Sequence, residues 1–251
     1  TAQSSGWIWD IGLPTRRGIG HVYSSSHTSD DAAERELRAY IERTGGSVGE
    51  ASPRKLTFHP GYREKFWHRN CVAIGLSAGF IEPLEASAIA LVELSAAMLS
   101  DQMPATRAAM DIVARRFNDS FTYRWERVID FLKLHYVLTQ RTDSDFWRDN
   151  CRAESMTERL QEQLTIWRHQ PPSRYDLHRL EEVFPSASYQ YVLYGMGFRP
   201  DRRQATRRSD DLDRADGFFR EAAALTTRML AALPTNRELI SHIKRHGLSK
   251  I

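Results

Sequence analysis

Two carboxylates three residues apart, Glu82 and Glu85, are the side chains whose type and spacing suit acid–base chemistry. Both fall in the sequence EPLE, which precedes a run of helix-forming residues. The pattern predicts a helix that begins near Pro83 or Leu84, because proline is tolerated in a first helical turn. Carboxylates at that place also compensate the helix dipole, and spacing alone favours this structural role over proton transfer.

The two carboxylates belong to a longer segment, residues 70–91, with the sequence NCVAIGLSAGFIEPLEASAIAL. It predicts a buried strand, a loop of small residues and the N-terminus of a helix. The first N–H groups of a helix lack acceptors and carry partial positive charge, so a halide, a phosphate or the edge of a flavin ring suits this position. Gly75 and Gly79 would let a flat ligand approach the backbone closely.

Several elements must position this segment. The sequence GWIWDIGLPTRRGIGHVY, which starts at Gly6, predicts a β-hairpin that turns at residues 13–18. A helix is predicted from a cap at Ser29 to a stop at Gly45. The hairpin and this helix together predict that the N-terminal part of the chain is of mixed α and β structure.

The remaining patterns predict a second strand pair and then mainly helices. The strand pair covers residues 55–59 and 65–75, and helical patterns dominate from residue 104 onward. Breaks are predicted near residues 118–120 and 142–144, with further helices at Tyr175–Val183 and Asp213–Leu233. The predicted fold class is α+β, with β-hairpins and helices in residues 1–100 and a mainly helical region in residues 101–251.

Charge and composition disfavour several classes of protein. The net charge of +3 comes from 35 basic and 32 acidic residues without a basic block, so no nucleic-acid partner is predicted. No apolar run suits a membrane span and no signal-peptide pattern is present, which favours a cytoplasmic location. Cys71 and Cys151 are predicted to be reduced and structural, with Cys71 buried, and no metal site is predicted.

Three parts of the sequence together resemble the flavin-dependent tryptophan halogenases. NCVAIGL, AGF and EPLE follow the order of that family's signature within residues 70–85. GWIWDI and RRGIGHVYSS are similar to its WxWxIP element, with Gly12 in place of the proline, and RVIDFLKLHY and RTDSDFW are similar to its later helical region. The resemblance covers most of residues 6–200. It implies that residues 1–100 are the C-terminal part of a flavin-monooxygenase-like FAD and substrate module that carries the EPLE helix.

The resemblance also implies roles for individual residues. Glu85, the last residue of EPLE, matches the family's active-site glutamate, which lies beside the substrate ring. Ser87 and Ala88 match the two positions whose backbone N–H groups hold the halide, although the family's Thr and Gly are replaced there. The positions implied to contact the flavin are Leu76, Ile89 and Gly79.

The activity that the resemblance implies is halogenation of an electron-rich aromatic molecule such as indole or tryptophan. The reaction would use reduced FAD, oxygen and chloride or bromide, and a flavin reductase would supply the reduced cofactor. A homodimer is left open. Glu85 would accept the ring proton that is lost after electrophilic substitution, or favour its loss electrostatically.

Two parts of the family pattern are not found in this chain. The GxGxxG fingerprint that should follow an N-terminal strand is missing, and none of the chain's lysines matches the motif of the catalytic lysine. The start at Thr1, without methionine and directly before a strand pattern, is typical of an internal fragment. We therefore predict part of a longer enzyme that is inactive alone. The alternatives are a related flavin hydroxylase and a truncated, non-catalytic binding or regulatory module.

Other aromatic and imidazole side chains have structural interpretations. Tyr189, Tyr191 and Tyr194 are interpreted as packing residues rather than as a clamp for an amino acid, which favours an open site that accepts free indole. His135 is predicted to be a hydrogen-bonded core histidine rather than a ligand. Trp7 and Trp9 point to one face of the first strand and are predicted to lie in the core rather than to line a substrate channel.

Overall fold

The structure is a computed structural model and describes residues 1–47, 49, 52–177, 182–201 and 211–248. It confirms the predicted α+β class: in these residues the strands all precede residue 81, and helices dominate after residue 87. The chain divides into two compact units, Thr1–Pro200 and Asp201–Ile251. The division expected at residue 100 stays a prediction.

Strands β1 (Gly6–Gly12) and β2 (Arg17–Tyr23) form the predicted antiparallel hairpin. The Trp9 ring lies across Gly20, where a Cβ atom would come within 2.4 Å of the indole. Gly20 is therefore required by the close approach of an aromatic side chain. Trp7 is buried, as predicted, in a cluster with Tyr136, Phe146 and Trp147, whereas Trp9 is only partly buried against that cluster.

Helix α1 (Asp30–Arg43) begins where the sequence predicts it. The Ser29 hydroxyl accepts a hydrogen bond from a backbone N–H of the first turn at 3.2 Å, which is the expected capping interaction. Gly45 follows the helix with a φ of 81°, a conformation that favours glycine. The Tyr40 hydroxyl donates to Asp10 Oδ2 at 3.0 Å, so the helix is tied to the hairpin.

Four two-residue strands follow, and the predicted strand pair is wrong, since residues 55–59 form no strand and residues 65–75 contain two short strands that pair with each other. Residues 52–60 are exposed and irregular, because no other described segment pairs with them and a lone strand leaves its backbone groups unpaired. At Gly79 a Cβ atom would be 2.7 Å from the Gly61 carbonyl oxygen, so the strand pairing there requires glycine. The strands are β3 (Gly61–Tyr62) paired with β6 (Gly79–Phe80), and β4 (Trp67–His68) paired with β5 (Cys71–Val72).

Five described helices complete the first unit: α2 (Ala88–Gln102), α3 (Arg107–Val137), α4 (Asp145–Asn150), α5 (Glu158–Trp167) and α6 (Ser186–Gly195). The predicted break at 142–144 is confirmed by the gap between α3 and α4. Helix α6 is not predicted from the sequence. The helix predicted at Tyr175–Val183 overlaps a 3-10 turn at Arg174–Asp176, and residues 178–181 lie outside the described residues.

The predicted break near 118–120 is wrong, because α3 continues through it. Asparagine is disfavoured in helix interiors because its side chain can form hydrogen bonds with nearby backbone groups that the helix would otherwise use. Here the side chain serves a neighbouring strand instead: its Oδ1 accepts from Trp67 N–H at 2.7 Å and its Nδ2 donates to the Trp67 carbonyl at 2.9 Å. A tertiary contact therefore removes the local signal for a break.

Two core clusters lie on opposite halves of α3. The first packs the C-terminal half of α3 against α5 and α6, and the second packs its N-terminal half against α2 and the short strands. Helix α3 is thus the scaffold of the first unit. The buried members are Phe131, Leu134, Leu138, Leu160, Trp167, Leu177, Tyr189, Val192 and Leu193 in the first cluster, and Phe66, Trp67, Ala78, Leu91, Phe117, Phe121 and Trp125 in the second.

The described part of the second unit contains α7 (Leu212–Ala232) and α8 (Asn236–His246). Helix α7 confirms the predicted helix at Asp213–Leu233, whereas α8 is not predicted. His242 and His246 lie one turn apart on α8, a spacing that the sequence analysis does not single out, with ring centroids 4.7 Å apart. In the described part of the chain, no group of three or more His, Cys, Asp or Glu side chains could hold a metal ion.

Cys71 and Cys151 are free thiols, and both are exposed. The predicted burial of Cys71 is wrong, because the apolar run around it forms a short surface strand rather than a buried one. Among the residues that the structure describes, none of the helices has the length and apolar character needed to cross a membrane.

Candidate functional site

The EPLE segment lies before helix α2, not inside it. The helix begins at Ala88 with Ser87 as its N-cap residue, so the predicted start near Pro83 is wrong and Glu85 is not in the first turn. The Ser87 N–H donates to the Glu85 carbonyl at 2.7 Å, which closes a tight turn that is not helical. Both glutamates are therefore held in a loop by specific contacts rather than by the helix dipole.

Glu82 joins the hairpin to helix α3. Its Oε2 accepts one hydrogen bond from Trp7 Nε1 at 3.0 Å and another from the Tyr136 hydroxyl at 2.7 Å. Both donors are nearly buried, with 8% and 7% of their surfaces exposed. Burial, and then the Glu82 carboxylate, raise the pKa of Tyr136 far above its ordinary value, so the hydroxyl remains a donor. Glu82 is thus a structural carboxylate that fixes one end of the EPLE loop.

Replacing Glu82 by leucine is expected to lower the free energy of unfolding by about 2–4 kcal/mol, because Trp7 Nε1 and the Tyr136 hydroxyl would lose their acceptor in a buried place. Urea unfolding followed by circular dichroism measures the change. Glu82→Gln is the matched control: it keeps one acceptor oxygen and should lose about 1 kcal/mol. Equal stability of the leucine variant and the unsubstituted protein would show that this contact does not hold the loop.

Glu85 lines a cavity of about 430 Å³ between the loop, α3 and α6. Its walls are largely aromatic: Phe131 and Phe184 stack with ring centroids 4.0 Å apart. Tyr191 stands at the cavity with 83% of its surface exposed, whereas Phe131 is buried. The other lining residues are Ala187, Ser188 and Val192. A carboxylate at the edge of an aromatic-walled cavity suits a flat aromatic ligand from which a proton must be removed.

His135, on α3, lies beside the Glu85 side chain. His135 Nε2 lies 3.1 Å from Glu85 Oε1, and Nδ1 lies 2.9 Å from the Phe131 carbonyl oxygen. The imidazole also meets the Phe131 ring edge to face, with centroids 5.2 Å apart. His135 is hydrogen-bonded, as predicted, with the Phe131 carbonyl as its partner, but it is partly buried rather than a core residue, and its other nitrogen lies beside the candidate catalytic carboxylate. Sequence spacing does not reveal this contact across 50 residues.

The three tyrosines of residues 184–200 have different environments. Tyr189 is 2% exposed and belongs to the first core cluster, as a packing residue should. Burial raises the pKa of the Tyr189 hydroxyl well above its usual value. Tyr191 faces the cavity, and Tyr194 is 44% exposed. Tyr191 is thus the member of the three that a ligand in the cavity would meet.

The N-terminus of α2 offers unpaired backbone donors. The described structure shows no acceptor for the N–H groups of Ala88 and Ile89, whereas the Ser87 N–H is used within the loop. Ser87 is 5% exposed, and its side chain does not cap the helix. The halide role of Ser87 and Ala88 stays a prediction, and the geometry favours Ala88 over Ser87 as the donor.

The positions expected to contact flavin carry apolar side chains on the surface near this N-terminus. Leu76 is 79% exposed and Ile89 is 80% exposed, so both side chains are accessible to a ligand. Glycine is required at position 79 by the fold itself, because a side chain there would collide with the backbone of β3. Flavin contact by these three residues stays a prediction.

None of the lysines lines the cavity, as far as the chain is described. Lys133, on α3, donates from Nζ to Asn150 Oδ1 at 2.8 Å and so joins α3 to α4. Burial lowers the pKa of the Lys133 ammonium, and the charges of Cys151 and Glu82 partly offset this effect. The hydrogen bond to Asn150 thus gives Lys133 a structural role.

The fold and the site define an α+β module with a carboxylate and an imidazole at an aromatic cavity. The sequence model of the tryptophan halogenase family matches residues 1–211, and the chain belongs to this family. The resemblance seen in the sequence is thereby confirmed.

Individual relatives agree with this assignment. A tryptophan halogenase from Shewanella frigidimarina is similar in structure with a TM-score of 0.93 and 46% identity, covering 100% of this chain and 47% of the other. A flavin-dependent halogenase from Brevundimonas sp. BAL3 has a TM-score of 0.80 and 36% identity, covering 96% and 47%. The tryptophan 7-halogenase of Kutzneria is 32% identical over 93% of this chain and 46% of its own length. The chain spans about half the length of the curated relatives it matches.

Proposed function

We propose that the chain forms the C-terminal half of a flavin-dependent halogenase, with residues 1–100 completing an FAD and substrate module and residues 101–251 forming a mainly helical region. The observation that supports this most is the position of Glu85 at the edge of an aromatic-walled cavity. The whole enzyme would halogenate an electron-rich aromatic molecule such as indole or tryptophan. The relatives with known names act as tryptophan halogenases, which favours this class of substrate.

The residues around the N-terminus of α2 fit a reduced FAD and a halide. The exposed side chains of Leu76 and Ile89 offer an apolar surface to a flat ring, and the N–H groups that begin α2 suit an anion. Reduced FAD, when bound, activates oxygen so that chloride or bromide is oxidised to an electrophilic halogen. The chain itself contributes backbone N–H donors and apolar side chains at this place. Gly79, in strand β6, is the third position proposed to contact the flavin.

At the cavity, Glu85 accepts the proton that the aromatic ring loses after the halogen has added. The walls formed by Phe131, Phe184 and Tyr191 hold the ring by stacking or edge contacts and exclude water from one side. A carboxylate positioned to accept this proton typically speeds deprotonation of the positively charged intermediate by a factor of about 10²–10⁴. The partly open cavity favours free indole over a substrate that needs an amino-acid clamp.

The partners of the complete enzyme follow from this chemistry. A flavin reductase supplies reduced FAD without a stable complex, and the enzyme works in the cytoplasm. A homodimer is compatible with the proposal. The 251 residues alone are expected to be inactive, because the family's GxGxxG fingerprint and lysine motif are not found among them.

Dependence on halide is the first test of the proposal. The complete enzyme, incubated with FAD, a flavin reductase, oxygen, bromide and indole, is expected to yield bromoindole, detected by mass spectrometry from the two bromine isotopes. Omitting bromide should abolish the product. Hydroxyindole formed without bromide would favour the related hydroxylase instead, and no indole product under either condition would favour a non-catalytic module.

A further inference from the structure

Helix α8 carries two exposed histidines on one side. His242 and His246 are four residues apart, so their side chains lie one helical turn from each other. The centroids of the two rings are 4.7 Å apart. In the part of the chain that the structure describes, neither ring takes part in a hydrogen bond or an ion pair. Both imidazoles are therefore accessible to a ligand from solvent.

Two histidines at this spacing on a helix can bind one metal ion between them. Zinc lies about 2.0–2.1 Å from each imidazole nitrogen, so two nitrogens that share an ion are at most about 4 Å apart. Ring centroids 4.7 Å apart allow this separation, because exposed imidazoles can turn about their side-chain bonds. The described residues offer no third His, Cys, Asp or Glu ligand, so water would fill the remaining coordination positions.

Both ends of α8 are capped, which fixes the backbone under the two side chains before an ion binds. At the N-terminus, Thr235 N–H donates to Glu238 Oε2 at 2.8 Å, and the Thr235 hydroxyl accepts from the Glu238 N–H at 3.3 Å. At the C-terminus, the Gly247 N–H donates back to a carbonyl oxygen of the last turn at 2.8 Å. His242 and His246 lie between these caps, so little ordering of the backbone opposes binding.

The charges on α8 do not oppose a cation between the two rings. Glu238 and Arg245 lie beyond His242, on the side away from His246, and their opposite charges largely compensate. Arg245 Nε donates to a backbone carbonyl oxygen one turn earlier at 3.2 Å, which directs its guanidinium away from the imidazoles. Lys244 falls on the opposite side of the helix by the helical period. Within α8, a metal ion at the pair thus meets little repulsion.

We propose that His242 and His246 form a two-histidine site that binds one divalent transition-metal ion per chain, Cu²⁺ most tightly and Zn²⁺ and Ni²⁺ more weakly. Imidazole nitrogen suits these three ions, and the affinity of a given nitrogen site is highest for Cu²⁺. The proposal differs from the expectation, drawn from the sequence, that the chain has no metal site. It does not depend on halogenation, because both ligands and the helix that holds them belong to this chain.

Calorimetric titration of the 251-residue chain with Cu²⁺ tests the site without turnover. The first equivalent is expected to bind more tightly than later ones, whereas Mg²⁺, which prefers oxygen ligands, should not bind there. His242→Ala and His246→Ala should each lower the affinity for the first equivalent roughly 10-fold or more, because each removes an intramolecular second contact. Both positions are exposed, so the urea midpoints of these variants should stay unchanged.

Two controls separate a paired site from scattered surface histidines. His242→Ser combined with Ser241→His keeps the composition but moves one imidazole to a different side of the helix. This exchange variant should bind the first equivalent as weakly as the single variants do. His59→Ala, at an exposed histidine outside α8, should leave the affinity unchanged.

Electron paramagnetic resonance of bound Cu²⁺ gives a second readout. With one equivalent of Cu²⁺, the unsubstituted chain is expected to show coupling to two imidazole nitrogens, and His242→Ala and His246→Ala should each lose one of them. Equal affinity of the unsubstituted chain and the exchange variant would overturn the proposal. Nitrogen coupling that is the same in the unsubstituted chain and in both single variants would also overturn it.

Discussion

Replacing Glu85 by glutamine is expected to lower the turnover of the complete enzyme about 100-fold or more. The amide has nearly the shape of the carboxylate but does not accept the ring proton, so the loss falls on kcat while KM for indole stays within about threefold. The measurement is bromoindole formed per minute at saturating bromide, with reduced FAD supplied by a reductase. This is the larger of the two principal effects because Glu85 is the carboxylate that lines the cavity.

The control for this substitution is Glu93→Gln, the same chemical change at an exposed position of α2, which should leave turnover unchanged. Glu85→Asp adds a graded test. It keeps a proton acceptor but withdraws it by one methylene from both His135 and the ligand, so turnover should lie between those of the unsubstituted and glutamine enzymes. Unchanged turnover in Glu85→Gln would remove this residue from the reaction.

Replacing Trp167 by alanine is expected to lower the free energy of unfolding by about 3–5 kcal/mol. The indole is 1% exposed in the first core cluster, and its Nε1 donates to Asp176 Oδ2 at 3.0 Å. Alanine would leave a large void beside Tyr189 and Asp176 without its donor. The urea midpoint, followed by circular dichroism, measures the change.

The neighbouring residue provides the control. Ile166→Ala, on the same helix with 44% of the isoleucine exposed, should cost about 1 kcal/mol or less. The core cluster that contains Trp167 also contains Phe131, a wall of the cavity, so the alanine variant should lose halogenation at a lower temperature than the control. Similar urea midpoints for the two variants would show that this cluster is not the main core of the unit.

Local signals predicted the first part of the fold well. The hairpin follows from alternating aromatic residues around a turn, and α1 follows from a serine cap and a glycine stop, which act over a few residues. The signals failed where distant groups decide. Asn118 does not break α3, because Trp67 uses its side chain, and residues 55–59 form no strand, because no described neighbour pairs with them.

The candidate site shows the same limit. The EPLE motif and its resemblance to a family identify Glu85, and the pattern RVIDFLKLHY contains Phe131 and His135 without showing what they contact. Helix α6, which brings Tyr191 to the cavity and follows Phe184 directly, has no clear signal, since its run SASYQYVLYG mixes small and aromatic residues. Cavity walls are set by packing between helices far apart in sequence.

Residue types and short-range spacing were sufficient to predict the α+β class, the hairpin, the family resemblance and the candidate carboxylate, because each depends on neighbouring residues. The tertiary structure alone decided what the two glutamates contact. Trp7 and Tyr136 donate hydrogen bonds to Glu82, whereas Glu85 has His135 Nε2 3.1 Å from its Oε1. Two carboxylates three residues apart thus have different surroundings, because groups from β1 and α3 reach them only when the chain is folded.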